Sequence, residues 1–300
     1  MSFSAEVKNE ILSVNTEDEC CRHAFAYGVV LFSRAFSSFD ISLLTEHGGI
    51  AEKYCEAVNS VCGVTPELLR SDAGKYKAEV KTQEDRNKIL EVFGYDKKTG
   101  TLRLNWSNIT DECCKNAFLR GAFLSCGTVN DPKKGYHLEF VVPYMNLSRD
   151  LTRFIADYDE LSIEPKTVKR NSNYVIYFKD SESIEDILTV MGAVNSCLEL
   201  MGVKMYKDMR NNVNRKLNFE SANFDKTIDA AARQIDAIEH IKNTVGLSYL
   251  SDELREIAVL RSENPEMSLR ELGAGLNAPI SRSGVNHRLK KICDIAQSIK

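Results

Sequence analysis

Apolar residues recur at helical spacing in two long stretches of the 300-residue chain, and between those stretches they alternate at strand spacing. Cys20, Ala24, Gly28 and Leu31 fall at i, i+4, i+8 and i+11, a stripe of small residues, and Cys113, Ala117, Gly121 and Leu124 repeat it. A bulkier stripe, Cys21, Phe25 and Phe32, lies beside the first. Sliding the chain by 93 residues sets Asp18–Leu31 over Asp111–Leu124 with eight of fourteen positions identical, where average residue usage gives about one. The chain therefore carries two copies of one unit. A glycine inside a helix costs about 1 kcal/mol relative to alanine, so glycines at equivalent places need a reason. Small residues four apart let helix backbones approach closely. The pattern predicts that the two helices pack through their small stripes around a pseudo-twofold axis, with the bulkier stripes facing sheets.

The segments after each helix are alike in kind. Phe39–Leu44 and Tyr136–Val142 alternate like strands; helices follow near Ala51–Val61 and Leu147–Tyr158. Further strands are expected at Lys75–Thr82, Ile163–Arg170 and Tyr174–Lys179, and each copy closes on a capped helix, after Thr82 and around Ser181–Ile184. The predicted unit is αββαββα, twice. Before it, Val7, Ile11 and Leu12 mark one more amphipathic helix.

From Leu250 the period is helical only. Leu254, Ile257, Ala258 and Arg261 share one helix face, stopped by Asn264-Pro265; Ser268-Leu269-Arg270-Glu271 is a capping box opening a second helix with Leu269, Leu272, Gly273 and Leu276 inward. After the turn Asn277–Ile280, a third helix puts Val285, Leu289, Ile292 and Ala296 inside. Three short helices, the last two joined by a turn, suggest a helix-turn-helix. No acidic residue lies between Leu272 and Cys293. On the outer face of the third helix, Ser283, Asn286, His287 and Lys290 can read base edges, while Arg282, Arg288 and Lys291 suit phosphates. Between the modules, 204–244 is polar, amide-dense and mostly helical, with Ile228, Ala232, Ile235, Ile238 and Ile241 expected to pack. Its Arg210, Asn214, Arg215 and Lys216 read equally as a docked linker or as a second DNA surface.

Charge and composition narrow the class. A net charge of −4 argues against indiscriminate coating of nucleic acid but leaves room for a local basic face. The longest nearly apolar run, Ala24–Ser33, is half a membrane span, and Met1–Lys8 lacks a signal-peptide layout, so a cytoplasmic protein with no membrane partner is expected, nucleoid-associated if the third helix reads DNA. Nine cysteines include no C-x-x-C pair. The vicinal pairs Cys20-Cys21 and Cys113-Cys114 point about 100° apart on a helix, so they read as small hydrophobes rather than metal ligands, and no metal or cofactor is expected.

The stretches Ala26–Arg34 and Leu119–Gly127 resemble the helices of LAGLIDADG homing endonucleases. In active members the eighth position of each is a carboxylate that holds divalent metal for DNA cleavage, and here those positions are Ser33 and Cys126. A hydroxyl and a thiol do not assemble a hard-cation site, and Asp40 and Asp131, beyond the helices, are weak replacements. The whole chain is similar to the WhiA family. The likeness rests on Phe118–Leu124 with Val129–Pro132 and Tyr136–Glu139, on Asn214-Arg215 with Asn218-x-Glu220-x-Ala222-Asn223, and on Ile280–Leu289. One departure is Cys126, where the family tends to carry glycine or serine.

That resemblance implies an α+β chain with a duplicated LAGLIDADG-like domain over 1–203 (copies about 1–100 and 101–203), a helical linker over 204–244 and a sigma-like helix-turn-helix domain over 245–300. It implies a non-catalytic, sequence-specific DNA-binding transcriptional regulator linked to sporulation, cell division and chromosome segregation. The expected partner is double-stranded promoter or operator DNA, with RNA polymerase or another regulator as a further one, and the expected state is a monomer. The alternatives are a metal-dependent endonuclease and an interaction module acting through RNA polymerase.

Overall fold

A computed structural model describes residues 2–16, 18–72, 74–96, 101–158 and 163–299. The chain divides into two compact units, 1–207 and 208–300. In the first unit, α1 (Phe3–Leu12) precedes the duplicated part. The first copy is α2 (Glu19–Leu31), β1 (Ala35–Phe36), β2 (Ile41–Thr45), α3 (Gly48–Cys62), β3 (Glu67–Arg70), β4 (Tyr76–Glu79) and α4 (Gln83–Val92). The second copy is α5 (Glu112–Cys126), β5 (Gly127–Val129), β6 (Leu138–Val142), α6 (Met145–Ala156), β7 (Lys166–Arg170), β8 (Asn173–Phe178) and α7 (Ser181–Val190). The αββαββα repeat is present in both halves.

Each copy builds one antiparallel four-stranded sheet, in the orders β1-β2-β4-β3 and β5-β6-β8-β7. The central pairs are in matching register, Leu43 opposite Ala78 and Phe140 opposite Ile176. The short strands β1 and β5 and the fully exposed β3 escape the alternation argument, because two or three residues carry no period and β3 shows none. Thr82 caps α4 as expected, accepting from the Asp85 amide at 3.1 Å, whereas α7 is capped one residue earlier, by Asp180.

The axis of this unit is the α2–α5 crossing. A Cβ built on Gly28 would lie 2.3 Å from the Phe118 carbonyl oxygen, and one on Gly121 would lie 2.3 Å from that of Phe25. The two clashes are mutual, offset by the same 93 residues as the repeat, so each glycine admits the backbone of the opposite helix. Ala24 and Ala117 are fully buried in the same seam. Around it one apolar core runs through both copies, with Tyr27 stacked on Phe118 at 5.5 Å and Phe118 edge-on to Phe154 at 4.9 Å. The connection between copies is tied down by polar contacts. Arg103 donates twice to the buried Asp150 carboxylate at 2.7 Å, Leu104 N–H adds a third bond, and the Tyr27 hydroxyl accepts from Asn105 N–H.

The helix α8 (Val194–Thr244) runs across the division between the units. In the second unit its last turns pack with α9 (Asp252–Glu263), α10 (Leu269–Ala274) and α11 (Arg282–Ser298). The segment 204–244 is thus part of one helix. The buried stripe of its C-terminal part is Ala231, Gln234, Ile238 and Ile241; Ala232 and Ile228, expected inside, are exposed. No helix among the described residues is long and apolar enough to cross a membrane.

The crossing yields a direct test. Gly121→Ala is expected to lower stability by about 1–3 kcal/mol, because the methyl must displace main chain rather than a flexible side chain. Gly202→Ala, with nothing within 4 Å of its built Cβ, is expected to be neutral or mildly stabilising. Urea unfolding of the two variants checks the contrast.

Candidate nucleic-acid interface

The three C-terminal helices form where the sequence places them. Ser268 and Glu271 make a reciprocal capping box at α10. Leu254, Ile257, Ala258, Leu272, Leu276, Val285, Leu289, Ile292 and Ala296 close one core. The turn from α10 to α11 spans 275–281, and it is held against α10: Ile280 N–H donates to the Gly273 carbonyl at 3.1 Å, and a Cβ on Gly273 would lie 2.5 Å from the Ile280 oxygen. That glycine is needed for the approach.

Arg261 was expected on the inner face, and it is 2% exposed. Its Nε donates to Gln234 Oε1 at 3.0 Å and its Nη1 to the carbonyls of Met267 (2.7 Å) and Pro265 (3.3 Å). Burial lowers its pKa from the ordinary arginine value. No carboxylate pairs with it among the described residues, so the guanidinium acts as a hydrogen-bonding plug that joins α8, α9 and the turn before α10.

Ser281 caps α11, accepting from Gly284 N–H at 3.2 Å, and the first turn of the helix carries no acid. The positive end of the helix dipole is therefore uncompensated there, a setting that favours phosphate. Arg282, Ser283, Asn286, His287, Lys290 and Lys291 are all exposed. At about 100° per residue, Ser283, His287 and Lys290 lie opposite the Val285–Leu289–Ile292 core line. Asn286 and Lys290 flank a groove of about 590 Å³ whose other wall includes Arg233 and His240 of α8. Asn286 thus sits at the side of the outer face rather than at its centre.

Two acids temper the basic face. Arg288 is half-buried and its Nη2 pairs with Glu253 of α9 at 3.0 Å. Asp294, one residue past the acid-free window, is exposed and shares the outward direction of Ser283 and His287. Only spatial packing reveals the Glu253 pair, since 35 residues separate the partners. The four candidates of the second surface are exposed on α8 but are not gathered: Arg210 and Asn214 share a face, while Arg215 and Lys216 turn progressively away.

At the foot of the helix pair, Ser33 is buried and its hydroxyl donates to the carbonyls of Val30 and Ala35 at 2.7 and 3.2 Å. Desolvation pushes the Cys126 thiol up to about 12, against the pull of the nearby Lys8 ammonium. Lys8, contributed by α1, is itself lowered from the ordinary lysine value by burial. A hydroxyl spent on main chain and a thiol kept neutral by burial are poor ligands for a hard divalent ion. Asp40 is exposed, and Asp131 is taken up in a turn, accepting from Lys133 N–H at 2.9 Å.

The cysteine pairs, read as separate small hydrophobes, are brought together instead. Cys20, Cys21, Cys113 and Cys114 place their four Sγ atoms within 4.8 Å of one another at the N-terminal ends of α2 and α5. Each vicinal pair diverges on its own helix, but the repeat axis juxtaposes the two pairs, a relation visible only when the repeat is applied to the cysteines.

A duplicated helix-and-saddle domain of LAGLIDADG type followed by a helical helix-turn-helix defines the class of protein. The WhiA LAGLIDADG-like domain profile matches residues 115–210 and the WhiA C-terminal HTH domain profile matches 213–296. The chain is 37% identical over 99% of its length to a probable cell division protein WhiA of Alkaliphilus metalliredigens, covering 98% of that protein. It is 40% identical to the counterpart of Alkaliphilus oremlandii over 100% of its length and 98% of that protein. The crystal structure of full-length DUF199/WhiA from Thermatoga maritima shares the fold, with a TM-score of 0.61 at 24% identity, covering 100% of this chain and 99% of that one. The chain belongs to the WhiA family.

The buried arginine gives the test for this module. Arg261→Met keeps the apolar stem but leaves Gln234 and two carbonyls without their donor, and it is expected to cost about 1–3 kcal/mol in urea unfolding. Arg261→Lys is expected to rescue little, because a single ammonium cannot span the same three acceptors.

Proposed function

We propose that this chain is a non-catalytic, sequence-specific double-stranded DNA-binding protein that regulates transcription in the service of cell division. The observation that carries the reading is α11. It is a capped helix on a helix-turn-helix core, with no acid in its first turn and with Ser283, His287 and Lys290 exposed opposite the buried side. Such a helix fits the major groove with short polar side chains toward base edges and cations toward the backbone. Arg282 and Lys291 supply phosphate contacts. Arg288, held by Glu253, positions α11 against α9 more than it meets DNA. The relatives' names, probable cell division protein WhiA, support the cellular setting.

The same reading assigns no cleavage to the LAGLIDADG-like domain, since Ser33 and Cys126 stand where paired carboxylates would be needed. Full-length protein incubated with duplex DNA and Mg²⁺ or Mn²⁺ is expected to leave it intact. Cleavage that disappears on replacing Asp40 or Asp131 would overturn this part.

Binding is tested by selecting duplexes from a random library with the full chain and measuring affinity by fluorescence anisotropy. The selected site is expected to bind with a steep negative salt slope, as phosphate contacts release counterions. His287→Ala is expected to shrink the gap between selected and scrambled duplexes by about 1–3 kcal/mol. Lys291→Ala should instead weaken both duplexes alike and flatten the salt slope by about 1. Equal losses on both duplexes for His287→Ala would refute its assignment to base reading.

A further inference from the structure

The N-terminal ends of the two central helices hold chemistry that the DNA-binding reading does not use. Asp18 and Asp111 precede α2 and α5, and the cysteines occupy the second and third helical positions of each: Cys20 and Cys21 on one, Cys113 and Cys114 on the other. All four thiols are free. Cys21 and Cys114 are buried, Cys20 is partly buried and Cys113 is exposed. The helix crossing at Gly28 and Gly121 holds the two ends together, so each helix offers two adjacent sulfurs to one point. Adjacent residues on a single helix diverge; two such pairs facing each other across a twofold axis converge.

We infer that Cys20, Cys21, Cys113 and Cys114 form a tetrathiolate site for a single soft divalent cation, zinc by preference, which staples the N-terminal ends of α2 and α5. Four thiolates around one zinc at about 2.3 Å lie about 3.8 Å apart, so the observed separations, none above 4.8 Å, need only small side-chain adjustments. Sulfur donors select a soft ion over magnesium or calcium. With all four positions filled by protein ligands the site is closed, as structural zinc sites are, and it has no vacancy for substrate.

A second, independent feature serves the same site. Arg120, on α5, has a buried Nε with no hydrogen-bond partner, and it lies close enough to Cys21 for electrostatic interaction. A lone buried N–H is costly, and a neighbouring thiolate relieves it. Zinc with four thiolates carries a net charge of −2, and the guanidinium together with the amino ends of two helix dipoles offsets it. The first turns also carry Glu19 and Glu112, and Lys115 pairs with Glu112.

The test uses the full-length chain, reduced and stripped of metal with a chelator under argon. Titration with Co²⁺ is expected to give sulfur-to-cobalt charge-transfer absorption and the strong visible bands of a tetrahedral ion, saturating at one equivalent, and Zn²⁺ should bleach both. Cys113→Ser, at the exposed corner, is expected to lose the charge-transfer bands and retain no metal after desalting. Cys55→Ser, outside the cluster, should behave like the parent. Circular dichroism of the metal-free Cys113→Ser chain separates lost binding from lost folding, and if that variant is unfolded, Cys20→Ser serves the same purpose. Absence of thiolate bands in folded, fully reduced parent protein would overturn the proposal. So would thiols that pair into two disulfides on mild oxidation at a rate that added Zn²⁺ does not slow.

Discussion

The close approach of α2 and α5 is the constraint on which the first unit depends. Two glycines, Gly28 and Gly121, each stand against the opposite main chain where a single methyl would sit 2.3 Å from a carbonyl oxygen. A crossing that tight fixes the axis about which both copies are arranged. The bulky stripe, expected to face a sheet, turns partly toward α5 instead, with Cys21 in the cysteine cluster and Phe32 edge-on to Phe118, and the core becomes continuous through Tyr27, Phe118 and Phe154. It also fixes which residues each end of the helix pair carries: Ser33 and Cys126 at the C-terminal foot, and four clustered cysteines at the N-terminal head. The chemistry of either end follows from which side chains the axis delivers there.

At the foot, the delivered side chains suit packing rather than metal. Ser33 satisfies two carbonyls of its own turn, and Cys126 is kept neutral by desolvation. Lys8 adds an ammonium from α1, an element outside the repeat, to the region where twin carboxylates would otherwise collect cations. An Nζ 5.9 Å above the Phe123 ring shows how this lysine is accommodated, with its charge resting on an aromatic face at the helix end. One added helix thus supplies both apolar cover, through Val7 and Ile11, and the Lys8 amine.

The duplication, the αββαββα order and the three C-terminal helices were legible in the sequence because each rests on a period: 93 residues for the repeat, 3.6 for the helices, two for the longer strands. Strands β1, β3 and β5 were not, since they are too short or too exposed to show one. On the end of α8, Ile238 and Ile241 are buried as expected, but the stripe shifts by one residue before them because Ala231 and Ala232 are equivalent to a hydrophobicity count, and Gln234, a polar residue, is buried as the partner of Arg261. On α11 every candidate side chain except Arg288 proved exposed. The exception depended on Glu253, which a scan limited to the third helix and its turn does not see.

The cysteines show most clearly where reading along one chain stops. On one helix, neighbours diverge by about 100°, so Cys20 and Cys21 alone do not enclose an ion. Across two helices the geometry differs, because the operation that pairs Gly28 with Gly121 also pairs Cys20-Cys21 with Cys113-Cys114. Residues at equivalent positions near a twofold axis must meet if they lie close enough to it. The same relation that makes Ser33 and Cys126 equivalent positions at one end brings four sulfurs together at the other. In an internally duplicated protein, any reactive residue type that recurs in both copies along the central helices has to be considered as a pair, and a vicinal pair as a set of four.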